Sequence, residues 1–360
     1  MRRCVSIVVL LLALMSTAMA VGERTPASPR EPDATWRYVH LSDAVASLSI
    51  RMVREDEPWE QVVRDVQDHL GATRSGRPVR VGFYGHGAFV KRAEVQHDMP
   101  FVAALGVAAK MDVMVFPYWR FPEQHPLADI PQQVLQAQLN NLFKNPGETV
   151  IETLRRKARQ VALENRYATA HAAVRLAEGI SAFHTRHMTP SLAAFSNSAL
   201  VVVRLGQLLE RGWISDGYKD IAMAESVRQE LSLNNIVTFG YPLPNGRVSA
   251  ALRQRVSGTL VNVVPADCWK QLGGNFLLNG GKNVPVSWAP SHADWPRLSP
   301  HGPEVAVLGA LLGNGAEPSL RLPPRSGQRV PGGPPVVQWL WDTLCEQVQR
   351  IDPAVVFNSP

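Results

Sequence analysis

A serine flanked by small residues lies where a predicted apolar strand meets a predicted apolar helix. Ser196 has Ala194 two residues before it and Ser198 two residues after it. A nucleophile on a sharp strand-to-helix turn needs small residues at these two positions, because larger side chains would collide there. The turn also lies at the N-terminus of the helix, where backbone N–H groups stabilise a developing oxyanion. The sequence predicts Ser196 as a nucleophile and the Asn197 N–H as an oxyanion donor.

A second small-residue turn follows the strand predicted at 78–84. It reads Gly85-His86-Gly87-Ala88. Such a turn can present backbone N–H groups to a reacting oxygen, so Gly87 and Ala88 are predicted on the oxyanion side and His86 beside the substrate. The alternative is a glycine turn with an incidental histidine. A phosphate-binding loop is less favoured, because neither Gly-x-x-x-x-Gly-Lys-Ser/Thr nor Gly-x-Gly-x-x-Gly occurs here.

Two further candidates for catalysis follow later in the chain. Asp267 comes just after the strand predicted at 258–264, and active sites of open parallel sheets gather at that end of the strands. His301 precedes a predicted helix, and His292 competes with it for the role of base. Trp269 is a candidate substrate contact. The order of serine, aspartate and histidine is the order expected of α/β-hydrolases.

Metal chemistry finds little support in the sequence. Neither His-Glu-x-x-His nor Cys-x-x-Cys occurs, and these are the recurrent metal-ligand spacings. His184 and His187 are three residues apart but fit the solvated end of a long helix. We therefore predict neither a metal nor a cofactor.

Composition excludes several classes of protein. The 360 residues are 45% hydrophobic and 19% charged, which excludes wholesale disorder. The formal net charge is +6, but the charges are scattered and form no basic run of the kind that follows a nucleic acid. We therefore predict no nucleic-acid partner. The composition does not indicate an oligomeric state.

The first twenty residues have the pattern of a secretory signal peptide. Arg2 and Arg3 form a positive start, Val5 to Met15 is almost entirely apolar, and cleavage is predicted after Ala20. The alternative, a membrane anchor, needs about 20 apolar residues, and this stretch is shorter. No other window is long and apolar enough to span a membrane. The mature protein is therefore predicted to be periplasmic or secreted.

Strands alternate with helices along the chain, which favours an α/β fold with a mostly parallel sheet flanked by helices. Residues 273–300 are rich in Gly, Asn, Pro and Trp and predict a long irregular loop. Cys268 and Cys345 remain after cleavage, and they form either one disulfide or two free thiols. The predicted organisation is a signal peptide at 1–20, a flexible leader at 21–34, a main domain at 35–314 with a helical insertion at about 126–186, a Pro/Gly-rich loop at 315–335, and a C-terminal helix and tail at 336–360.

The chain resembles the α/β-hydrolase superfamily, in particular its lipase- and esterase-like members, through about 79–116 and 190–312. Ala-Phe-Ser-Asn-Ser at 194–198 stands where that family has Gly-x-Ser-x-Gly, and His86-Gly87 stands where it has its oxyanion-side His-Gly. Thr-Phe-Gly-Tyr-Pro at 238–242 is similar to the Thr-Phe-Gly-x-Pro strand end of some lipases. The resemblance implies an α/β-hydrolase-like domain with Ser196, Asp267 and His301 as the triad. The insertion would then form a lid over the site or pack beside it.

The function expected from these residues is hydrolysis of a lipid-like or other acyl ester by an exported serine hydrolase. The alternative is a non-catalytic hydrolase-like envelope protein that binds a lipid or a protein partner. The replaced glycines at 194 and 198 favour the alternative, whereas the ordered serine, aspartate and histidine favour the enzyme.

Overall fold

An eight-stranded sheet forms the centre of the protein. The computed structural model describes residues 36–40, 47–71, 78–87, 97–119, 121, 150–243, 246–265, 275–286, 289–290 and 292–315. The strands of this sheet are β1 (Trp36–His40), β2 (Ser47–Val53), β3 (Arg80–Gly85), β4 (Val113–Pro117), β5 (Thr189–Phe195), β8 (Ile236–Phe239), β10 (Leu260–Pro265) and β12 (Lys282–Val286). The remaining strands form two small pairs, β6 (Trp213–Ser215) with β7 (Asp220–Ala222) and β9 (Gly246–Arg247) with β11 (Leu278–Asn279).

The strand order of the large sheet is β1-β2-β4-β3-β5-β8-β10-β12. Only β1 runs antiparallel to its neighbour, and every other pairing is parallel. The predicted α/β class with a mostly parallel sheet is therefore confirmed. From β3 the chain first adds β4 on one side and then β5 on the other, so the order reverses between β3 and β5. In open parallel sheets, ligands bind outside the carboxyl ends of the strands at such a point.

Helices cover both faces of the sheet. Alternate residues of a strand point to opposite faces, and Phe83 of β3 belongs to one apolar cluster while Tyr84 belongs to the other. The helices are α1 (Trp59–Gly71), α2 (Met99–Ala108), α3 (Val150–His184), α4 (Asn197–Arg211), α5 (Glu225–Glu230), α6 (Ala250–Gln254) and α7 (Pro303–Asn314), with a 3₁₀ helix at His292–Arg297. Helices α1, α3 and α4 pack on one face, and α2 and α7 pack on the other.

The C-terminal end of α7 is joined to the start of the central strands. The Arg80 guanidinium, at the start of β3, donates to the Gly313 carbonyl, which lies 233 residues later in the chain. The Asn235 amide, just before β8, donates to the Leu312 carbonyl at 3.0 Å. The last carbonyls of a helix receive no hydrogen bond from an N–H group of the same helix, so these two side chains supply the missing donors.

Some expectations from the sequence need correction. The stretch 273–300, predicted as one irregular loop, contains β11, β12 and the 3₁₀ helix. The strand β2, next to the edge strand β1, is not predicted from the sequence, because Arg51 interrupts its apolar pattern. Arg51 is nevertheless fully buried, and its guanidinium lies 2.5 Å from both Glu57 Oε1 and Asp65 Oδ2. Pairing of this charge with two carboxylates allows the strand to enter the core.

Several predicted segments lie outside the described residues. They are the signal peptide, the leader, the first part of the helical insertion, the Pro/Gly-rich loop beyond Gly315, the C-terminal helix and both mature cysteines. Helix α3 is the described part of the insertion and immediately precedes β5. Within the described ranges, none of the helices has both the length and the hydropathy required to cross a bilayer.

Candidate active site

Ser196 lies on a strained turn between β5 and α4. Its backbone has φ 53° and ψ −115°, a conformation that L-residues rarely adopt. The turn is fixed on both sides, since the Ser196 N–H donates to the Phe239 carbonyl of β8 at 3.1 Å and Asn197 begins α4. Strain of this kind is retained where the surrounding structure over-determines it, and such residues cluster at active sites.

The two small residues flanking the serine fit the turn without glycine. Ala194 is fully buried in β5 and pairs with Gly85 of β3. The Ser198 hydroxyl donates to the His86 carbonyl at 2.6 Å, which joins the start of α4 to the end of β3. A glycine at 198 could not make this bond. Ser198 therefore adds a contact at the position where the Gly-x-Ser-x-Gly pattern has its second glycine.

His292 is the histidine that the fold brings to the serine. Its Nε2 lies 2.9 Å from Ser196 Oγ, and both residues are less than a tenth exposed. His301 is exposed and lies on the turn that precedes α7. The fold therefore places His292, and not the predicted His301, within hydrogen-bond reach of the Ser196 hydroxyl.

Aromatic packing and one glycine hold His292 in place. Three residues further along the 3₁₀ helix, Trp295 is fully buried and its indole N–H donates to Asn275 Oδ1 at 2.7 Å. The His292 ring packs 5.4 Å from the Phe195 ring. Gly240, with φ 62°, leaves the space behind the imidazole, since a Cβ there would lie 3.3 Å from His292 Nδ1. The His292 ring is thus anchored by the core.

The turn after β3 reaches Ser196. A Cβ added to Gly87 would lie 2.9 Å from Phe195 Cε1 and 3.2 Å from Ser196 Cβ. Gly87 and Ser196 therefore sit side by side at the carboxyl ends of β3 and β5, where the strand order reverses. The first N–H groups of a helix have no partner within it, so the Asn197 N–H at the start of α4 is suited to an oxyanion.

Gly87 is expected to tolerate no side chain. On the hypothesis of ester hydrolysis drawn from the sequence, Gly87→Ala should lower kcat/KM for p-nitrophenyl acetate by about 100-fold, because its methyl group would displace the turn against Ser196, and small misplacements carry losses of this size. Gly71→Ala is the matched control, since a Cβ there meets nothing within 4 Å. Steady-state kinetics of the two variants makes the comparison. Equal activity of both variants would show that the turn plays no part.

The sequence predicted His86 beside the substrate, but the structure buries this side chain within the turn. Its Nε2 accepts the Trp119 N–H at 3.0 Å, so Nδ1 carries the proton and donates to the Gly87 carbonyl at 2.7 Å. The ring is 1% exposed and stacks between Phe116 and Tyr118. Burial lowers the pKa of His86 to about 4, against opposing effects of its two backbone partners. His86 therefore holds the Gly87 peptide as a neutral ring.

Burial of His86 is expected to make the folded protein less stable in acid. The pKa of His86 falls from 6.5 in the unfolded chain to about 4 when folded, so stability is complete above pH 6.5 and is lost as the pH falls towards 4. We expect a loss of about 3 kcal/mol over this range. Urea unfolding at pH 7 and pH 4.5 should show a smaller pH effect in His86→Asn. The exposed His184→Asn should behave as wild type, and an identical pH effect in all three proteins would contradict the prediction.

Helix α3 contacts Asn197, the residue that follows Ser196. The side-chain amides of Asn165 and Asn197 form a reciprocal pair, in which Asn165 Nδ2 donates to Asn197 Oδ1 at 3.2 Å and Asn197 Nδ2 donates to Asn165 Oδ1. The Asn197 side chain is buried. The sequence did not indicate Asn165, because nothing in its local pattern points to a partner 32 residues away. The described part of the insertion thus packs directly beside the turn.

Three predicted site residues lie outside the described residues, and they are Ala88, Asp267 and Trp269. The acid of the triad therefore stays a prediction. The last described residue of β10 is Pro265, which pairs with Val286 of β12. Within the described ranges, no three metal-binding side chains lie together, and His184 and His187 are both exposed.

The arrangement joins a strained serine, a histidine within reach of its hydroxyl and backbone N–H groups at a helix start. These are the parts needed for nucleophilic attack on a carbonyl. Comparison with protein-family models, with curated proteins and with solved structures finds no match to this chain.

Proposed function

We propose that the protein is an exported serine hydrolase that cleaves an acyl ester through an acyl-enzyme, on an α/β-hydrolase-like domain. The observation that carries the proposal is the distance of 2.9 Å between Ser196 Oγ and His292 Nε2, with the serine on a turn of positive φ. Nucleophile and base within hydrogen-bond reach are the signature of an activated hydroxyl. Ser196 also lies where the strand order reverses, which adds support, because ligands of open parallel sheets bind at such a point.

The proposed reaction begins when the Ser196 oxygen attacks the ester carbonyl and His292 Nε2 takes the hydroxyl proton. The Asn197 N–H and the turn at Gly87 stabilise the oxyanion of the tetrahedral intermediate. His292 then protonates the leaving alcohol, and water attacks the acyl-enzyme by the reverse route. Asp267 is proposed as the carboxylate that orients His292. It follows β10, two strands from the serine, and this assignment rests on the sequence order alone.

The alternative of a non-catalytic binding protein was favoured by the missing glycines. The turn supports the enzyme instead, because Ala194 and Ser198 accommodate the same backbone conformation and Ser198 adds a hydrogen bond. A protein that only binds a ligand has no need for a strained serine beside a histidine.

Labelling with a fluorophosphonate probe tests the proposal. The folded wild-type protein should be labelled, and Ser196→Ala should not be. Ser191→Ala is the matched control, because Ser191 is also buried but lies within β5, five residues before the turn, and its loss should leave labelling unchanged. Absence of labelling in wild type whose folding is verified by circular dichroism would reject an activated serine and favour the binding protein.

Export is proposed from the sequence of the first twenty residues. N-terminal sequencing of the protein recovered outside the cytoplasm should begin at Val21, directly after the proposed cleavage site. Recovery of the intact N-terminus in the membrane fraction would instead identify this segment as an anchor.

A further inference from the structure

The hydroxyl of Ser198 links the two backbone segments that carry the proposed oxyanion donors. Ser198 lies in the first turn of α4, and its Oγ donates to the His86 carbonyl at 2.6 Å. His86 and Ser198 are 1% and 3% exposed, so this hydrogen bond is shielded from water. It connects the helix that begins at Asn197 to the turn that contains Gly87. The two proposed donors are therefore joined through a single side chain.

This hydrogen bond fixes the orientation of the peptide between His86 and Gly87. A peptide bond is planar and trans, so its carbonyl and its N–H point in opposite directions. Because Ser198 holds the His86 carbonyl towards α4, the Gly87 N–H is turned away from the Ser198 hydroxyl. Among the residues that the structure describes, neither the Gly87 N–H nor the Asn197 N–H has an acceptor. Both of these groups can therefore donate to a substrate oxygen.

The next peptide of the turn is held in the same manner. The His86 ring donates from Nδ1 to the Gly87 carbonyl at 2.7 Å, and its Nε2 accepts the Trp119 N–H. Two consecutive carbonyls of the turn are therefore fixed, one by Ser198 and one by the His86 ring. Rotation of either peptide would break a buried hydrogen bond and leave its groups unpaired, which is costly. The turn thus keeps its geometry before any substrate binds.

The side chain of Ser198 also fills the space where β3 and α4 come together. A Cβ added to Gly85 would lie 2.5 Å from Ser198 Cβ and 2.6 Å from Ser198 Oγ. Real Cβ atoms do not come so close, so the size of the residue at 85 depends on the side chain at 198. The Gly-x-Ser-x-Gly pattern would have its glycine on the helix, at 198. In this chain the glycine of the contact lies on the strand, and the helix carries a hydroxyl.

We propose, on the basis of the proposed ester hydrolysis, that Ser198 is a positioning residue for the oxyanion. Its hydroxyl sets the distance between the Asn197 N–H on α4 and the Gly87 N–H on the turn, and it acts on the reaction through these two groups. Donors that are in place before the reaction stabilise the transition state without a cost of reorganisation. The serine at 198 is therefore a functional replacement, and the glycine of the pattern would make this protein a slower enzyme.

Ser198→Ala removes only the hydroxyl and keeps the Cβ that packs on Gly85. We expect it to lower kcat/KM for p-nitrophenyl acetate about tenfold, which is less than the loss of about 100- to 1,000-fold that follows removal of a whole oxyanion donor. Ser198→Gly should lose at least as much. Ser249→Ala is the matched control, because the buried Ser249 hydroxyl also donates to a carbonyl of α4, that of Gly206, at 2.8 Å. It should leave kcat/KM unchanged.

Two ketones of the same shape separate positioning from a general loss of structure. Ser196 Oγ should add to the carbonyl carbon of phenethyl trifluoromethyl ketone, so that its proton passes to His292 and the carbonyl oxygen becomes an oxyanion. Phenethyl methyl ketone should bind as the intact ketone. In Ser198→Ala the inhibition constant of the trifluoromethyl ketone should rise about tenfold, in step with the loss in kcat/KM, because both depend on the oxyanion. The inhibition constant of the methyl ketone should not change.

The proposed function and the positioning role fail in different ways. Ester hydrolysis that depends on Ser196 but is equal in wild type and Ser198→Ala would overturn the positioning role alone, as would equal changes for the two ketones. Absence of hydrolysis and of fluorophosphonate labelling in folded wild type would overturn both. If circular dichroism shows that Ser198→Ala does not fold, Ser198→Cys takes its place, because a thiol is a weaker donor. A reduced rate would then support the proposal, and the wild-type rate would overturn it.

Discussion

Replacement of His292 by alanine is expected to lower kcat/KM for p-nitrophenyl acetate by about 10⁴- to 10⁶-fold. Without the imidazole, no group within hydrogen-bond reach accepts the Ser196 proton among the described residues, and losses of this size follow removal of the base from a serine hydrolase. Steady-state kinetics on purified, folded protein provides the measurement. The Ser196→Ala and His292→Ala changes should not add when combined, because the two residues act as one unit.

His301→Ala is the control for this experiment. His301 is exposed and precedes α7, so its removal should change kcat/KM by less than about twofold. The reverse result, with loss of activity in His301→Ala and normal activity in His292→Ala, would refute the proposed pairing and restore the assignment made from the sequence.

Loss of Arg51 is expected to have the largest effect on stability. The Arg51 side chain is fully buried and its guanidinium lies 2.5 Å from Glu57 Oε1, whose side chain is 5% exposed. Arg51→Ala would leave a buried carboxylate without its partner, and breaking a buried pair in this way destabilises proteins by about 3–5 kcal/mol. Urea unfolding monitored by tryptophan fluorescence at pH 7 should report the loss.

The exposed ion pair of Arg297 and Asp294 supplies the comparison. Their charged atoms are 3.4 Å apart and both side chains are nearly half exposed. Arg297→Ala should therefore change the free energy of unfolding by less than about 1 kcal/mol. Double replacement of Arg51 and Glu57 by methionine should recover part of the stability lost in Arg51→Ala, because it removes the isolated charge. Equal losses in Arg51→Ala and Arg297→Ala would contradict the structure.

The sequence was informative about the centre of the sheet and less so about its edges. Strands β3, β4, β5, β8 and β10 are nearly continuous apolar runs, which is the pattern of parallel strands buried on both faces. The edge strand β12 contains Lys282, Asn283 and Pro285, and these residues weaken any local strand pattern. Its place in the sheet depends on pairing with β10, which the local sequence does not encode.

The same division applies to the site. The nucleophile could be predicted, because its turn is set by the strand before it and the helix after it. The base could not, because His292 and His301 both lie near the end of an irregular stretch. Contacts with Phe195 and with Asn275, through Trp295, decide between them. Burial of Trp295 is the signal that would have favoured His292, since a buried aromatic three residues away anchors a short helix.

The attachment of α7 to the starts of β3 and β8 has a consequence for the order in which the protein folds. Arg80 and Asn235 both bind carbonyls in the last turn of α7, so the central strands obtain these partners only when residues 312 and 313 have been synthesised. Contacts between residues so far apart in the chain form slowly and late in folding. A nascent chain that ends before α7 would hold α2 with its apolar face uncovered, as a target for chaperones. These contacts of the central strands therefore wait for the synthesis of α7.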